Sequence, residues 1–108
     1  MNEPKTSVSE YISRINKALD YIDTNLENPM TLGELASVAN FSKYHFNRIF
    51  HSIVGETPFQ FIQRVKIEKA AMLLLTNRKM TVSGIATKCG FSDLSVFSRN
   101  FKSCFGVS

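Results

Sequence analysis

Two sets of side chains stand at helical spacing and carry groups that make directional hydrogen bonds. Tyr44, Asn47, Arg48 and His51 follow one another at i, i+3, i+4 and i+7, and Ser95, Ser98, Arg99 and Lys102 repeat that spacing 51 residues later. On a helix each set lies along one side. A guanidinium fork matches the two acceptors on a guanine edge, and a carboxamide matches the donor and acceptor on adenine. Lysine, histidine and hydroxyl groups at the margins of such a stripe suit phosphate oxygens. A polar stripe is also what any amphipathic helix turns to water. The arginine recurring at the same place in both sets separates the two readings in favour of recognition.

Other chemistries find little support in the chain. No nucleophile and base share a helical or turn spacing, so the sequence does not read as an enzyme. His45 and His51 are six apart and fall on different helix sides, while Cys89 and Cys104 stand 15 apart without a second pair, so no metal site and no cofactor are expected. Both cysteines read as small buried thiols. The longest apolar run, Ala70 to Leu75, is six residues, which excludes a membrane span. Met1-Asn2-Glu3-Pro4-Lys5 has no apolar leader, and a cytoplasmic location is expected.

Charge is distributed unevenly along the 108 residues. Residues 1–40 hold three bases and six acids, a net of −3, whereas residues 41–108 hold ten bases and three acids, a net of +7. With a sequence pI near 9.3, the C-terminal two thirds call for a polyanionic partner. Lys66, Lys69, Arg78, Lys79 and Lys88 read as solubilising surface.

The elements that must position these stripes are all helices. Ser7 and Glu10 form a capping box ahead of Val8, Ile12, Ile15, Leu19, Ile22 and Leu26. Thr31 and Glu34 open a short helix carrying Leu32, Leu35, Ala36 and Ala39. Ser42 caps a third with Phe46, Phe50 and Ile53 inward, closed by Gly55. Thr57-Pro58 starts a long helix to about Thr76, with Phe59, Ile62, Val65 or Lys66, Ala70 and Leu73 inward. Thr81 opens a fifth, and Ser92 a sixth with Phe97, Phe101 and Cys104 inward. No period-two run signals a strand, so the fold class is all-α, with two helix-turn-helix subdomains and six to seven helices.

An internal repeat organises these helices. At a shift of 50, Thr31, Leu35, Ala36, Phe41 and Ser42 meet Thr81, Ile85, Ala86, Phe91 and Ser92; after one inserted residue, Phe46, Arg48, Phe50 and Gly55 meet Phe97, Arg99, Phe101 and Gly106. Each copy is a short helix, a tight turn and a longer helix, the geometry of a helix-turn-helix. Asn40 and Gly90 supply the left-handed conformation that the turn demands. The expected divisions are a flexible tail over 1–6, a first subdomain over 7–56, a linker helix over 57–76 and a second subdomain over 77–108. The linker helix, about 27 Å long, is able to hold two recognition helices (43–54 and 93–105) roughly 34 Å apart, the spacing of successive major grooves.

Leu32-x-x-Leu35-Ala36, Phe41-Ser42-Lys43-Tyr44-His45-Phe46-x-Arg48-x-Phe50, Gly55-x-x-Pro58 and Arg64-x-x-x-Ile67-x-x-Ala70 resemble the DNA-binding domain of the AraC/XylS family of bacterial transcription regulators. The likeness continues through Ile85-Ala86-x-x-x-Gly90-Phe91-Ser92 and Phe97-x-Arg99-x-Phe101-Lys102-x-x-x-Gly106 and covers about residues 8–108. It implies two subdomains joined by a long helix, asymmetric promoter sites, and activation through contact with RNA polymerase. Carried over by position, Tyr44, Asn47, Arg48, Ser95, Val96 and Arg99 would contact bases of double-stranded DNA. Ser42, Lys43, His51, Ser92, Ser98 and Lys102 would hold phosphates, the two serines at helix N-termini. The second stripe is poor in long readers, which places most of the specificity on Tyr44, Asn47 and Arg48. Family members usually continue with a proline and a Tyr-Arg pair, whereas this chain stops at Val107-Ser108. It reads as an excised domain, with any small-molecule effector acting through a domain that follows it. On the residues alone, two other readings stay open. One is a helical protein-interaction module with a basic face; the other is a sequence-indifferent architectural DNA binder.

Overall fold

The computed structural model describes the backbone of residues 3–106 and the side chains of residues 8–106. Among the described residues there are six α-helices and no strand. They are α1 (Glu3–Thr24), α2 (Leu32–Val38), α3 (Lys43–Val54), α4 (Pro58–Thr76), α5 (Val82–Lys88) and α6 (Leu94–Phe105). None of them is long and apolar enough to cross a membrane. The chain divides into two compact units. The first is the chain up to Asn25 with Met30–Pro58, and the second is Leu26–Pro29 with the chain from Phe59 on.

In the first unit α1 packs on both α2 and α3. Ile15, Ala18 and Ile22 of α1, Leu35 and Ala36 of α2, and Phe46 and Phe50 of α3 are buried, the two phenylalanine rings 5.5 Å apart. The capping box of α2 forms as its residue types require: Thr31 Oγ1 accepts from the Glu34 amide at 3.1 Å and Glu34 Oε1 accepts from the Thr31 amide at 3.1 Å. Tyr21 of α1 donates to the other Glu34 oxygen at 3.1 Å, which ties α1 to the start of α2.

The second unit is built around Ile67 and Ala70 of α4, Ile85 and Ala86 of α5, Cys89 and Phe91 of the turn, and Phe97 of α6. Phe91 meets Phe97 edge to face at 5.3 Å. The helix read from the sequence as a linker thus belongs, from Phe59 on, to the second unit and gives Ile67 and Ala70 to its core. A further correspondence explains why. Arg14-Ile15-x-Lys17-Ala18 in α1 recurs 52 residues later as Lys66-Ile67-x-Lys69-Ala70 in α4, and Ile15, Ala18, Ile67 and Ala70 are all buried. The repeating element is three helices. The shift differs from that of the helix-turn-helix pairs because the loop from α4 to α5 is shorter than the loop from α1 to α2.

Several sequence expectations are corrected. Helix α1 begins at Glu3 rather than at Ser7, because Pro4 falls in the first turn, where its missing N–H has no helical partner to lose. Of the tail expected over 1–6, residues 1 and 2 lie outside the described residues, as do the side chains of the Ser7 cap. Val8 is 58% exposed, and Ile12 and Ile53 are exposed as well, although all three fit the apolar period of their helices. Phe59 is exposed and Ile67 takes its place inward; apolar residues on all sides of α4 hide which face packs. Of the two cysteines, Cys89 is buried and burial pushes its thiol pKa up, whereas Cys104 is exposed at the end of α6.

Both turns use one design. Asn40 (φ 61°) and Gly90 (φ 91°) are left-handed. The Phe41 and Phe91 amides bond back to the Ala36 and Ala86 carbonyls at 2.9 Å, and the Asn40 and Gly90 amides to Ser37 and Thr87 at 3.0 Å. The units differ in the space available. A Cβ added at Gly90 would lie 2.0 Å from the Leu26 carbonyl oxygen, which excludes any side chain there. Gly90→Ala is therefore expected to destabilise the second unit by about 2–5 kcal/mol, from the clash and the left-handed strain together, whereas Asn40→Gly changes stability by less than about 1 kcal/mol. Thermal unfolding of both variants, followed by circular dichroism, checks the contrast.

The Glu34 carboxyl is held below the usual carboxylate range, first by the Thr31 amide and then by the Tyr21 hydroxyl. A depressed native pKa contributes stability that is present above the unfolded value and is lost as pH falls through the native one. Glu34→Gln should flatten the acid limb of a plot of Tm against pH while leaving the limb above neutrality parallel to wild type. An unchanged acid limb would remove Glu34 from the acid response.

Candidate nucleic-acid interface

Helix α3 starts where the sequence places it. Ser42 is the N-cap, its hydroxyl accepting from the His45 amide at 3.2 Å, and Gly55 closes the helix in the left-handed conformation with its amide on the His51 carbonyl at 2.9 Å. Burial of Phe46 and Phe50 fixes the roll of the helix. That roll leaves Tyr44, Asn47, Arg48 and His51 exposed as one stripe, with Ser42 and Lys43 at its N-terminal end. No acidic residue occurs within Lys43–Val54. Tyr44 is 66% exposed, and Arg48 Nη1 donates to its hydroxyl at 3.2 Å with the guanidinium 5.6 Å from the ring centroid. The His45 ring tilts against Tyr44 at 5.9 Å. A stacked, hydrogen-bonded arginine has already given up part of the rotamer freedom it would lose on engaging a base.

Helix α6 departs from expectation by one residue. Its N-cap is Asp93, not Ser92, and the Asp93 carboxylate accepts from the Val96 amide at 2.9 Å. The residue inserted in the second copy of the repeat is thus the cap itself. A carboxylate seated there occupies the positive end of the helix, so a phosphate held beside Ser92, as the sequence leads one to expect, would meet a negative charge. Ser92 remains exposed beside it. Ser95, Ser98, Arg99 and Lys102 are exposed on one side, opposite buried Phe97 and half-buried Phe101. Val96 is half-buried against the core, which makes it a packing residue before it is a reader. Gly106 closes α6 with its amide on the Lys102 carbonyl at 2.8 Å.

Two of the lysines read as solubilising surface have partners, and of these Lys88 stays exposed as expected. Lys88 lies 3.6 Å from Glu27. Lys66 is half-buried, its ammonium pKa lowered by that burial, and donates to the Gly90 carbonyl at 3.1 Å. The signal that could have found Lys66 is the α1/α4 repeat, in which it matches half-buried Arg14. Among the described residues no three His, Cys, Asp or Glu side chains gather as a metal site.

Residues 35–108 match the model of a family whose description is "Helix-turn-helix domain". The chain is 34% identical over 99 residues to the probable transcriptional regulator LumQ of Photobacterium leiognathi, covering 90% of this chain and 40% of LumQ. It is 34% identical over 96 residues to the HTH-type transcriptional activator AarP of Providencia stuartii, covering 89% of this chain and 70% of AarP. Among solved structures it superimposes on the DNA-binding domain of AdpA, a global transcriptional factor in complex with a target DNA. That match has a TM-score of 0.81 and 26% identity, over 87% of this chain and 84% of that one. The paired turns, the acid-free stripe of α3 and these likenesses agree: the chain belongs to the AraC/XylS family of transcription regulators, as its helix-turn-helix DNA-binding domain.

Proposed function

We propose that the chain reads a specific duplex sequence with α3 and α6 as recognition helices, one entering each of two successive major grooves. Tyr44, Asn47 and Arg48 read bases from the first unit; Ser95 and Arg99 contribute a shorter reach from the second. Ser42, Lys43 and His51 hold phosphates beside α3, and Ser98 and Lys102 hold them beside α6, with Ser92 acting only through its hydroxyl. The observation that carries this reading is the stripe on α3. It is exposed, acid-free and pre-arranged around the Tyr44–Arg48 pair, on the second helix of a turn whose counterpart repeats in the other unit.

The name of the activator AarP supports a role in activation, through contact with RNA polymerase as the family resemblance implies. Because the chain spans only 40% of LumQ, effector response and partners of a whole regulator are part of this proposal rather than of the domain's structure. Promoter DNA as the target supports a cytoplasmic location for the protein.

Selection from a randomised duplex pool at about 150 mM salt, followed by sequencing, tests the reading. An asymmetric motif with two information-rich blocks about one helical turn apart supports it. One block alone would leave α6 as a backbone grip, and binding without sequence preference would favour an architectural role. At the level of single residues, Arg48→Ala is expected to cost about 1–3 kcal/mol and to relax preference at one base pair. Lys102→Ala, by contrast, should weaken all duplexes alike and reduce the slope of log K against log salt by about one. Titrations of matched and mismatched duplexes at several salt concentrations measure both.

A further inference from the structure

In each unit a cation from the first helix is fixed over the turn. Arg14 Nη1 donates to the Asn40 carbonyl at 3.3 Å, its guanidinium lies 4.9 Å from the Phe41 ring centroid, and Nη2 pairs with Glu10 at 2.6 Å. Lys66 Nζ donates to the Gly90 carbonyl at 3.1 Å and lies 5.7 Å from the Phe91 ring centroid. The two carbonyls belong to the left-handed residues, Asn40 and Gly90. They are also halves of the very peptide groups whose amides, those of Phe41 and Phe91, bond back to Ala36 and Ala86 at 2.9 Å. One peptide plane in each turn is therefore held at both ends, by a helix carbonyl on its N–H and by a cation on its oxygen. The chain leaves the turn through that plane, so its orientation sets the direction in which the second helix starts.

We infer that Arg14 and Lys66 are positioning residues for sequence recognition: each fixes the angle at which the helix after its turn, α3 or α6, meets the duplex, without touching the duplex. The inference rests on the proposed reading of α3 and α6 as recognition helices. Two features argue that the cation is used for this purpose rather than for solubility. Both side chains are half-buried, against the usual preference of lysine and arginine for water. The same contact recurs in two units through different residues, a guanidinium in one and an ammonium in the other, so what the turn requires is a positive donor over a phenylalanine ring.

Lys66→Met keeps the length of the stem and removes the charge, Lys66→Arg restores a donor of the type the first unit uses, and Arg14→Met tests the other copy. Selection from the randomised pool and salt titration are done on each, and amide exchange at Phe91 and Phe41 is measured without DNA. In Lys66→Met, exchange at Phe91 should speed up about tenfold with Ala70 and Ile85 unchanged. Preference in the block read by α6 should fall by about the same factor, the block read by α3 should be retained, and the salt slope should stay constant. Lys66→Arg should recover both readouts, and Arg14→Met should show the mirror pattern at Phe41 and the α3 block. Unchanged exchange at Phe91 overturns the inference whatever the duplex result. So does a uniform loss on all sequences with a slope lowered by about one, which would make Lys66 a phosphate contact. Faster exchange in a chain whose wild type selects no sequence would instead overturn the reading of function, and the recognition role with it.

Discussion

A left-handed residue placed one step after a short helix governs this protein. Asn40 and Gly90 reverse the chain within a single residue, and the helix before each turn satisfies its last carbonyls with the amides that the reversal brings back. The two helices that flank each turn are thereby set at an angle by covalent geometry and two hydrogen bonds rather than by a loop free to choose. Everything that faces outward from α3 and α6 inherits that angle. Burial of Phe46 and Phe50 on one side and of Phe97 on the other then fixes roll, and the stripe of polar residues has no further freedom as a body.

The two units meet this constraint with different margins. Asn40 carries a side chain in the left-handed region, where asparagine is tolerated at modest cost, and the space around it accepts one. Gly90 has no such latitude, because the Leu26 carbonyl approaches to where a Cβ would stand. The segment Leu26–Pro29 is distant from the second unit in sequence yet belongs to it, and its backbone closes over that turn. The Gly90 turn is therefore held from three sides: by the α5 carbonyls, by Lys66 and by Leu26.

Much of this was legible in the sequence because local rules and global fold agree. Thr31 with Glu34, Ser42, Gly55 and Gly106 act at the helix ends their types announce, and the phenylalanine spacing gave the inward faces of α3 and α6. What stayed hidden depended on contacts between residues far apart. Val8 and Ile12 fit the apolar period of α1 and are nonetheless exposed, so the period alone could not say where burial stops. Helix α4 is apolar on several sides, so its period could not say that Ile67 packs and Phe59 does not. The helical period allowed Lys66 or Val65 inward, but it could not name the partner of Lys66, the Gly90 carbonyl 24 residues away. Of the site, the stripe on α3 was readable from spacing alone, while Val96 required knowledge of the core it touches.

The asymmetry of the caps sharpens the division of labour between the units. A serine cap leaves the start of α3 free of negative charge, next to Lys43, so the helix dipole and the lysine act with the same sign there. An aspartate cap gives α6 a better-satisfied start and a negative charge at the same point. That charge would repel a phosphate placed as the first unit's would be. If α6 approaches the duplex, Asp93 must therefore stand off the backbone, and the positive charge for that approach has to come from farther along the helix. Arg99 and Lys102 are the side chains that supply it. Tyr44, Asn47 and Arg48, the longer side chains, sit on the unit whose helix after the turn starts without a carboxylate, whereas the unit whose turn is closed by the Leu26 carbonyl carries the serines.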